Sequence, residues 1–562
     1  FSTSVKSRVY VGSQFVHQSD DGGQSWQIIS PDLTLNDKSH QQSSGGVAVD
    51  NLMTFDGSTL FAIEESPLQA GMIWVGTNDG QVQLTKDGGK EWTNLTANIP
   101  DLPAWGTIAN IHPSKFKAGT AFVTVDLHQM GDFDPYIYKT ADFGQSWTKI
   151  SDGIPKSESS FVHVVKEDPK REGLLYAGID KGIYVSHNDG ASWERLRLNL
   201  PPAPVYWMEV QERFDDLVVG TYGRGYYILD DLGAVRNSDK MDNKAQLVDI
   251  RDTYRFNSRE SIKTDGASNN SGQNPPDGAI INYFLPDKVA GEISIEIKDK
   301  NGELIRTVNA RNNKGVNRAV WNLRYESTFR PKLRVQPPGR PWVQLNGEGW
   351  RPLVQWDLDL NAGQLGPRVA PGTYDAHLVI KDKEGNVIES MSKSFSVLKD
   401  PFAEGTQADI EAQVAFSLEL RNAMNLAVVN INAVEVLRKE LESIIAEVSD
   451  KRTQKEAVRL KALAEEVAGK LYDIHLTGAR EDAFRSPIKL YGRLSALASD
   501  MNGSGIDFRP TDQQGEVKEV LNDRLENAIE QFDKLINEDI QKFNKALERK
   551  NRTIEIEKTG GK

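Results

Sequence analysis

The chain has 562 residues, 67 Lys+Arg against 80 Asp+Glu, a formal net charge of −13 and no cysteine. This acidic, mixed surface offers no basic stripe to displace counterions from a nucleic acid or to bind an anionic membrane, so neither is an expected partner. Lack of cysteine excludes disulfides, thiolate metal sites and cysteine nucleophiles, and the length predicts three or four domains.

The sequence opens at Phe1 and enters a strand pattern at Arg8-Val9-Tyr10-Val11-Gly12. A removed leader or a longer N-terminal portion is expected ahead of it. A repeat then dominates. The pattern Ser/Thr-x-Asp-x-Gly-x-x-Trp occurs intact at Ser19-Asp21-Gly23-Trp26, Thr85-Asp87-Gly89-Trp92 and Thr140-Asp142-Gly144-Trp147. A fourth copy, Ser186-Asn188-Gly190-Trp193, carries Asn at the Asp position. The tryptophans lie 66, 55 and 46 residues apart, intervals that suit one four-stranded propeller blade each. Ile73-Trp74-Val75-Gly76 precedes the second box as Leu175-Tyr176-Ala177-Gly178 precedes the fourth.

The chemistry of the box is that of a turn. Glycine supplies the left-handed backbone that a tight hairpin needs. The Asp or Asn oxygen accepts turn amides, and the Ser/Thr hydroxyl extends that network. The Trp is expected to bury its ring against the neighbouring blade. These residues read as structural staples rather than ligand groups.

The four boxes resemble the Asp-box, or bacterial neuraminidase repeat, superfamily. Residues 1–235 are similar in particular to the second half of a sortilin-like propeller of bacterial exported proteins. The stretches that carry this are Asp134-Pro135-Tyr136-Ile137-Tyr138-Lys139-Thr140 and Gly220-Thr221-Tyr222-Gly223-Arg224-Gly225, the latter running into Tyr226-Tyr227-Ile228-Leu229-Asp230-Asp231. The resemblance implies recognition of peptides or proteins outside the cytoplasm, in a periplasmic, cell-surface or secreted setting. Only four to five blades fit these residues, so a partner that supplies the remaining propeller half is expected, upstream in the precursor or on a separate chain.

Residues 236–278 read as a transition, with a Ser/Asn/Gly/Pro-rich loop over 258–277. Short alternating strands follow over residues 279–400, beginning at Ala279-Ile280-Ile281, and predict an immunoglobulin-like β-sandwich. A long loop over 329–355 contains Trp342 and Trp350, with Trp356 just beyond it. These rings are expected to pack the loop onto the sandwich, the alternative being sugar stacking. From residue 401 onward the apolar spacing becomes helical and predicts a bundle or hairpin with helices near 410–449, 456–476, 488–501 and 517–550. The most apolar of these stretches is interrupted by Asn430, Asn432 and Glu435, and no apolar run is long enough to span a membrane.

The expected fold is therefore multidomain and mainly β: incomplete propeller, sandwich, helical tail. The expected function is non-catalytic binding or scaffolding in a cell-surface or outer-membrane complex. The alternative is a glycoside hydrolase or carbohydrate-binding protein, since Asp-box propellers include sialidases and xyloglucanases. Hydrolysis needs two carboxylates across a cleft. Asp132 and Asp134, beside His128 in a blade insertion, are the candidates, with Asp126, Glu64 and Glu65 as further acids. The eight histidines form no zincin motif, and Walker loops and Gly-x-Ser-x-Gly elbows are absent. No cofactor or metal is expected.

Overall fold

The computed structural model describes residues 1–42, 58–257, 272, 274–503, 506–548 and 551–559. The expected loop over 258–277 falls largely outside these residues. Two units are distinguished, Phe1–Asn243 and Lys244–Lys562.

The first unit is a series of small antiparallel sheets in chain order. The first holds β1 (Val9–Gly12), β2 (Val16–Ser19) and β3 (Gln27–Ile28). Three four-stranded blades follow. The first of them comprises β4 (Leu60–Glu65), β5 (Ile73–Thr77), β6 (Val82–Thr85) and β7 (Thr93–Asn94). The next comprises β8 (Thr107–Pro113), β9 (Ala121–Asp126), β10 (Tyr136–Thr140) and β11 (Thr148–Lys149). The last comprises β12 (Val162–Glu167), β13 (Leu175–Ile179), β14 (Gly182–Ser186) and β15 (Glu194–Arg195). A final sheet holds β16 (Val205–Gln211), β17 (Asp216–Thr221) and β18 (Gly225–Leu229). Each box begins at the end of a blade's third strand, so β1–β3 correspond to second, third and fourth strands, and β16–β18 to first, second and third.

The second strands show why these sheets stack. β5 and β13 are buried along their whole length. Their side chains alternate between two cores, as the period of two demands. Ile73 and Val75 join Val16, Leu33 and Leu60 on one face, whereas Trp74 joins Ile108, Val123 and Trp147 on the other. Likewise Leu175 and Ala177 face Phe122 and Ile137, whereas Tyr176 faces Val205 and Leu217. Each fully buried apolar side chain contributes about 1.5–3 kcal/mol. Such strands read as continuous apolar runs because both faces are covered.

The helix α1 (Gly233–Asn237) closes the first unit. Its Arg236 reaches Asp168 at 2.8 Å and Asp215 at 3.1 Å, and Arg171 pairs Asp239 at 2.5 Å. Residues 236–243 thus belong with the blades.

The second unit opens with β19 (Gln246–Leu247) and β20 (Thr253–Arg255), which join two different sheets. One sheet has the order β19-β21-β24, with β21 (Ala279–Leu285) and β24 (Gly315–Trp321). The other has the order β20-β28-β27-β22-β23, with β22 (Ile293–Asp299), β23 (Leu304–Asn309), β27 (Gly372–Lys381) and β28 (Val387–Lys399). β20 runs parallel to β28, and all other pairs are antiparallel. Trp321, Tyr374 and Phe395 meet in the core between the sheets, with ring centroids 5.4–6.5 Å apart. This is the immunoglobulin-like sandwich.

The long loop corrects one expectation. It does not fold onto the sandwich but onto the helices. It carries the two-residue strands β25 (Lys332–Leu333) and β26 (Arg351–Pro352), then the short helix α2 (Leu360–Gln364). Leu333, Leu353 and Leu360 enter the helical core. Trp342 and Trp356 remain mostly exposed, and Trp350 donates its indole N–H to Glu348.

The long helices are α3 (Gln407–Glu447), α4 (Lys451–Leu471), α6 (Leu490–Gly503) and α7 (Asp512–Lys534), with the single turn α5 (Asp482–Arg485) between α4 and α6. α7 passes through a π-turn, Leu535–Ile540, into α8 (Gln541–Leu547). Thr406 caps α3 in a capping box with Asp409, and Thr511 caps α7 with Gln514. α4 begins five residues before the expected 456, because Asp450 accepts the Thr453 amide and starts the helix there. The polar residues within α3 have a specific task. Asn425 accepts the Phe329 amide, Asn432 the Lys332 amide, and Glu435 those of Arg334 and Val335. One face of α3 thus supplies the acceptors that the crossing loop lacks.

Candidate functional site

The innermost strands β4, β8, β12 and β16 share an irregularity. In each, the register against the next strand slips by one residue near the N-terminal end. The extra residues are Phe61, Ala109, His163 and Tyr206. A bulge re-aims the side chain at the extra position and adds local twist. Opposite three of these bulges stand Gly76, Gly178 and Gly220. A Cβ at Gly76 would lie 2.3 Å from Ile108 of the next blade, and one at Gly178 would lie 2.7 Å from Val205. Glycine is needed there for close approach of the blades.

All four bulged residues line one cleft of about 740 Å³. Trp105, Trp207, Met130, Asp126 and His128 also line it. His40 stacks on Trp105 with centroids 3.7 Å apart, and His163 stacks on Tyr206 at 4.0 Å. Phe61, Tyr206 and Trp207 are each about half exposed. Lys166 lies 4.5 Å from the Trp207 ring centre and 3.1 Å from Glu209.

The polar end of the cleft centres on Asp126. Its Oδ1 accepts the His128 amide at 2.9 Å and lies 2.7 Å from His128 Nδ1. Its Oδ2 is 3.9 Å from His163 Nδ1, and the far nitrogen of that ring is 3.8 Å from Asp180. The His163 side chain is 5% exposed, and its Nε2 has no hydrogen-bond partner. Burial pushes this imidazole below its usual range, against the pull of the two carboxylates. No lining residue is Lys or Arg.

The sequence candidates lie elsewhere. Asp132 accepts the Asp134 amide at 2.9 Å and the Tyr136 hydroxyl at 2.7 Å, and Asp134 pairs Lys156. Neither lines the cleft. Glu65 accepts from Ser2, from the Thr3 amide and from the Gly71 amide. Burial raises the Glu64 carboxyl, against the charge of Lys166. Of the acids singled out, only Asp126 reaches the cleft. Sequence reasoning missed His163, Tyr206 and Asp180, because their signal is an offset from Gly178 and Gly220 rather than a motif.

The boxes are closed turns. In the first, the Gly23 amide donates to Ser19, and the Gln24 and Ser25 amides donate to Asp21. In the second, Gly89 donates to Thr85, and Lys90 and Glu91 donate to Asp87. In the third, Gly144 donates to Thr140 and Ser146 to Asp142. In the fourth, Gly190 donates to Ser186 and Ser192 to Asn188. The indole N–H of Trp92 reaches the Ile29 carbonyl and that of Trp193 the Ile150 carbonyl, each in the preceding sheet's connection. Trp26 and Trp147 instead bond the carbonyls of their own box glycines, and Trp26 stays 45% exposed.

These turns carry a pH dependence. Hydrogen bonds from Ser25, Glu91 and Ser146 hold the carboxyls of Asp21, Asp87 and Asp142 below the usual range, Asp142 at about 2. A depressed carboxyl contributes stability above its unfolded pKa and loses it as pH falls through the folded value. The Asp142→Asn variant should therefore lose less urea resistance than wild type between about pH 5 and about pH 2.5. Parallel losses in the two proteins would contradict this role.

Among the described residues, no group of three His, Asp or Glu side chains is placed to hold a metal, and no helix is long and apolar enough to cross a membrane. The chain matches no protein-family profile. A stretch of 122 residues is 30% identical to an oligoxyloglucan-reducing end-specific xyloglucanase from Emericella nidulans, covering 18% of this chain. The chain spans only 14% of that enzyme's length. Among solved structures, the GH74 xyloglucanase from Xanthomonas campestris overlays with 11% identity and a TM-score of 0.29, covering 72% of this chain and 68% of that one. PorZ, a surface component of the type-IX secretion system of Porphyromonas gingivalis, overlays with 14% identity and a TM-score of 0.25, covering 70% and 58%.

Proposed function

We propose that this chain is a non-catalytic, extracytoplasmic binding protein. Its sortilin-like blades recognise a peptide or protein segment as part of a cell-surface or outer-membrane assembly. The observation that carries the reading is the convergence of the bulged residues Phe61, Ala109, His163 and Tyr206 on one aromatic cleft. Aromatic rings with few converging polar groups favour recognition by shape and hydrogen bonding. The one acid lining the cleft is already engaged by His128, which supports binding over hydrolysis. A partner that completes the propeller belongs to the same proposal.

The local identity to a xyloglucanase supports glycan hydrolysis as a second reading. One experiment separates the two. The protein is screened against a displayed nonapeptide library and, in parallel, assayed for reducing ends released from xyloglucan and other β-glucans. The expected result is peptide binding that falls about tenfold or more in Trp207→Ala, with no sugar released. Release of reducing ends that Asp126→Asn abolishes would overturn the binding reading.

A further inference from the structure

The last sheet of the blade series is open on one face. In the inner sheets, side chains of the second and third strands alternate, one set facing the preceding sheet and the other the following one. On the following side, Trp74 stands opposite Leu84 and Gly76 opposite Val82, as Tyr176 stands opposite Val185 and Gly178 opposite Ile183. Those four third-strand partners are at most 4% exposed, because the next sheet covers them. The equivalent pairs of β17 and β18 are Val218 with Ile228 and Gly220 with Tyr226. Leu217 and Val219, which face the preceding sheet, are buried, but Ile228 is 60% and Tyr226 85% exposed. An apolar sheet face left in water marks an interaction site.

The second-strand glycines define what such a face accepts. A Cβ on Gly12 would lie 2.7 Å from Leu60, one on Gly76 2.3 Å from Ile108, and one on Gly178 2.7 Å from Val205. Each of these three aliphatic residues belongs to the first strand of the next sheet and stands immediately before its bulge. A Cβ on Gly220 would have Trp207 and Tyr226 of its own sheet as nearest neighbours, at 3.7 Å. Gly220 therefore keeps an open seat of the kind that Leu60, Ile108 and Val205 fill elsewhere.

The first sheet is open in the complementary sense. Val11 is half exposed, whereas its equivalents Val75 and Ala177 are buried. Among the described residues β1 pairs with β2 alone, while in each later sheet a first strand directly precedes the second. A second copy of this chain would thus offer Gly220 a first sheet without the strand that carries the seated residue. We infer that the face formed by Val218, Gly220, Tyr226 and Ile228 is the docking surface for a complete four-stranded sheet of the same design, carried by the same polypeptide on the N-terminal side of β1. Its first strand sets an aliphatic side chain over Gly220 and buries Tyr226 and Ile228, closing the ring of blades. The inference rests on the reading that a further part completes the propeller, and is independent of what the cleft binds.

The test compares the 562-residue chain with the protein isolated from its native source, by hydroxyl-radical footprinting and mass spectrometry. Tyr226 reports on the last sheet. Trp26, half exposed where Trp147 and Trp193 are buried, reports on the first. The native protein should be one longer polypeptide in which oxidation of Tyr226 falls about tenfold, since packed interfaces exclude water. Oxidation of Trp26 should fall with it. Gly220→Ala in the native polypeptide should restore Tyr226 oxidation, because the added methyl overpacks the seat. In the 562-residue chain the same substitution should not lower the urea midpoint, whereas Gly178→Ala, set against Val205, should lower it. Protection of Trp26 without Tyr226 would overturn the docking surface and leave propeller completion standing. Protection of neither would overturn both. Protection of Tyr226 that grows with the concentration of the 562-residue chain would give the face to a second copy, and protection that needs a separate polypeptide would give it to another chain; either overturns the inference.

Discussion

Replacing Glu435 by alanine is expected to destabilise the Lys244–Lys562 unit by about 3–5 kcal/mol, the cost of breaking a buried ion pair from one side. Glu435 is fully buried. One oxygen takes the Arg438 guanidinium and, at 2.5 Å, the Tyr472 hydroxyl. The other takes the amides of Arg334 at 2.6 Å and Val335 at 3.1 Å. Among the described residues, alanine leaves Arg438, 1% exposed, with only Glu465 as a charged partner at 3.5 Å. It also strips two backbone amides of their acceptor, so the crossing loop should loosen. Helical ellipticity during urea unfolding reads the stability, and amide exchange at Arg334 and Val335 reads the loop. The double variant Glu435→Leu/Arg438→Met should recover part of the loss but not the loop protection, because the charge penalty vanishes while the amides stay unpaired. A loss below about 1 kcal/mol in the alanine variant would show that the pair does not hold this junction.

The contrast between this junction and the boxes shows what a sequence displays and what it hides. The boxes are legible because their chemistry is local. Glycine at a positive φ and an oxygen acceptor two residues earlier sit at fixed offsets from Trp, as at Asp87 and Gly89. The helices are legible as a period, and because the polar start of α4, Lys451-Arg452-Thr453-Gln454-Lys455, gives no stripe, its expected start falls late. The crossing loop has no period. Its partners, Asn432 and Glu435, looked like interruptions of an apolar run, and only the fold shows that they answer backbone amides about a hundred residues away. The cleft was hidden for a different reason. Its bulged positions are occupied by Phe, Ala, His and Tyr, three of them rings, which share a backbone geometry but no fixed residue type. Aligned on Gly76 and Gly178, Phe61 falls on His163, whereas Tyr206 stands one residue closer to Gly220 and escapes the same alignment. Asp132 and Asp134 stood out instead, because adjacent acids draw attention even where they cap a turn.

The box glycines allow the link between turn and blade packing to be measured. Gly88 and Gly89 are neighbours, and both have positive φ, +77° and +94°. A Cβ on Gly88 would meet no atom within 4 Å. A Cβ on Gly89 would lie 2.3 Å from the Ile29 carbonyl oxygen. That oxygen also accepts the Trp92 indole N–H at 3.0 Å, and the Ile29 amide is fixed to Val16 at 3.0 Å, so the clash falls on anchored backbone. Gly88→Ala should therefore cost only the left-handed strain, about 1 kcal/mol. Gly89→Ala should cost that strain plus a displaced inter-blade contact, more than about 2 kcal/mol in all. Gly144→Ala should fall between, because its Cβ would meet the flexible end of Leu95 at 2.4 Å. Tryptophan fluorescence during urea unfolding of the full chain ranks the three. The order Gly89, Gly144, Gly88 would show that the box is a spacer that sets the distance between blades as well as a turn. Equal losses at Gly88 and Gly89 would reduce it to a turn and leave blade spacing to the apolar cores alone.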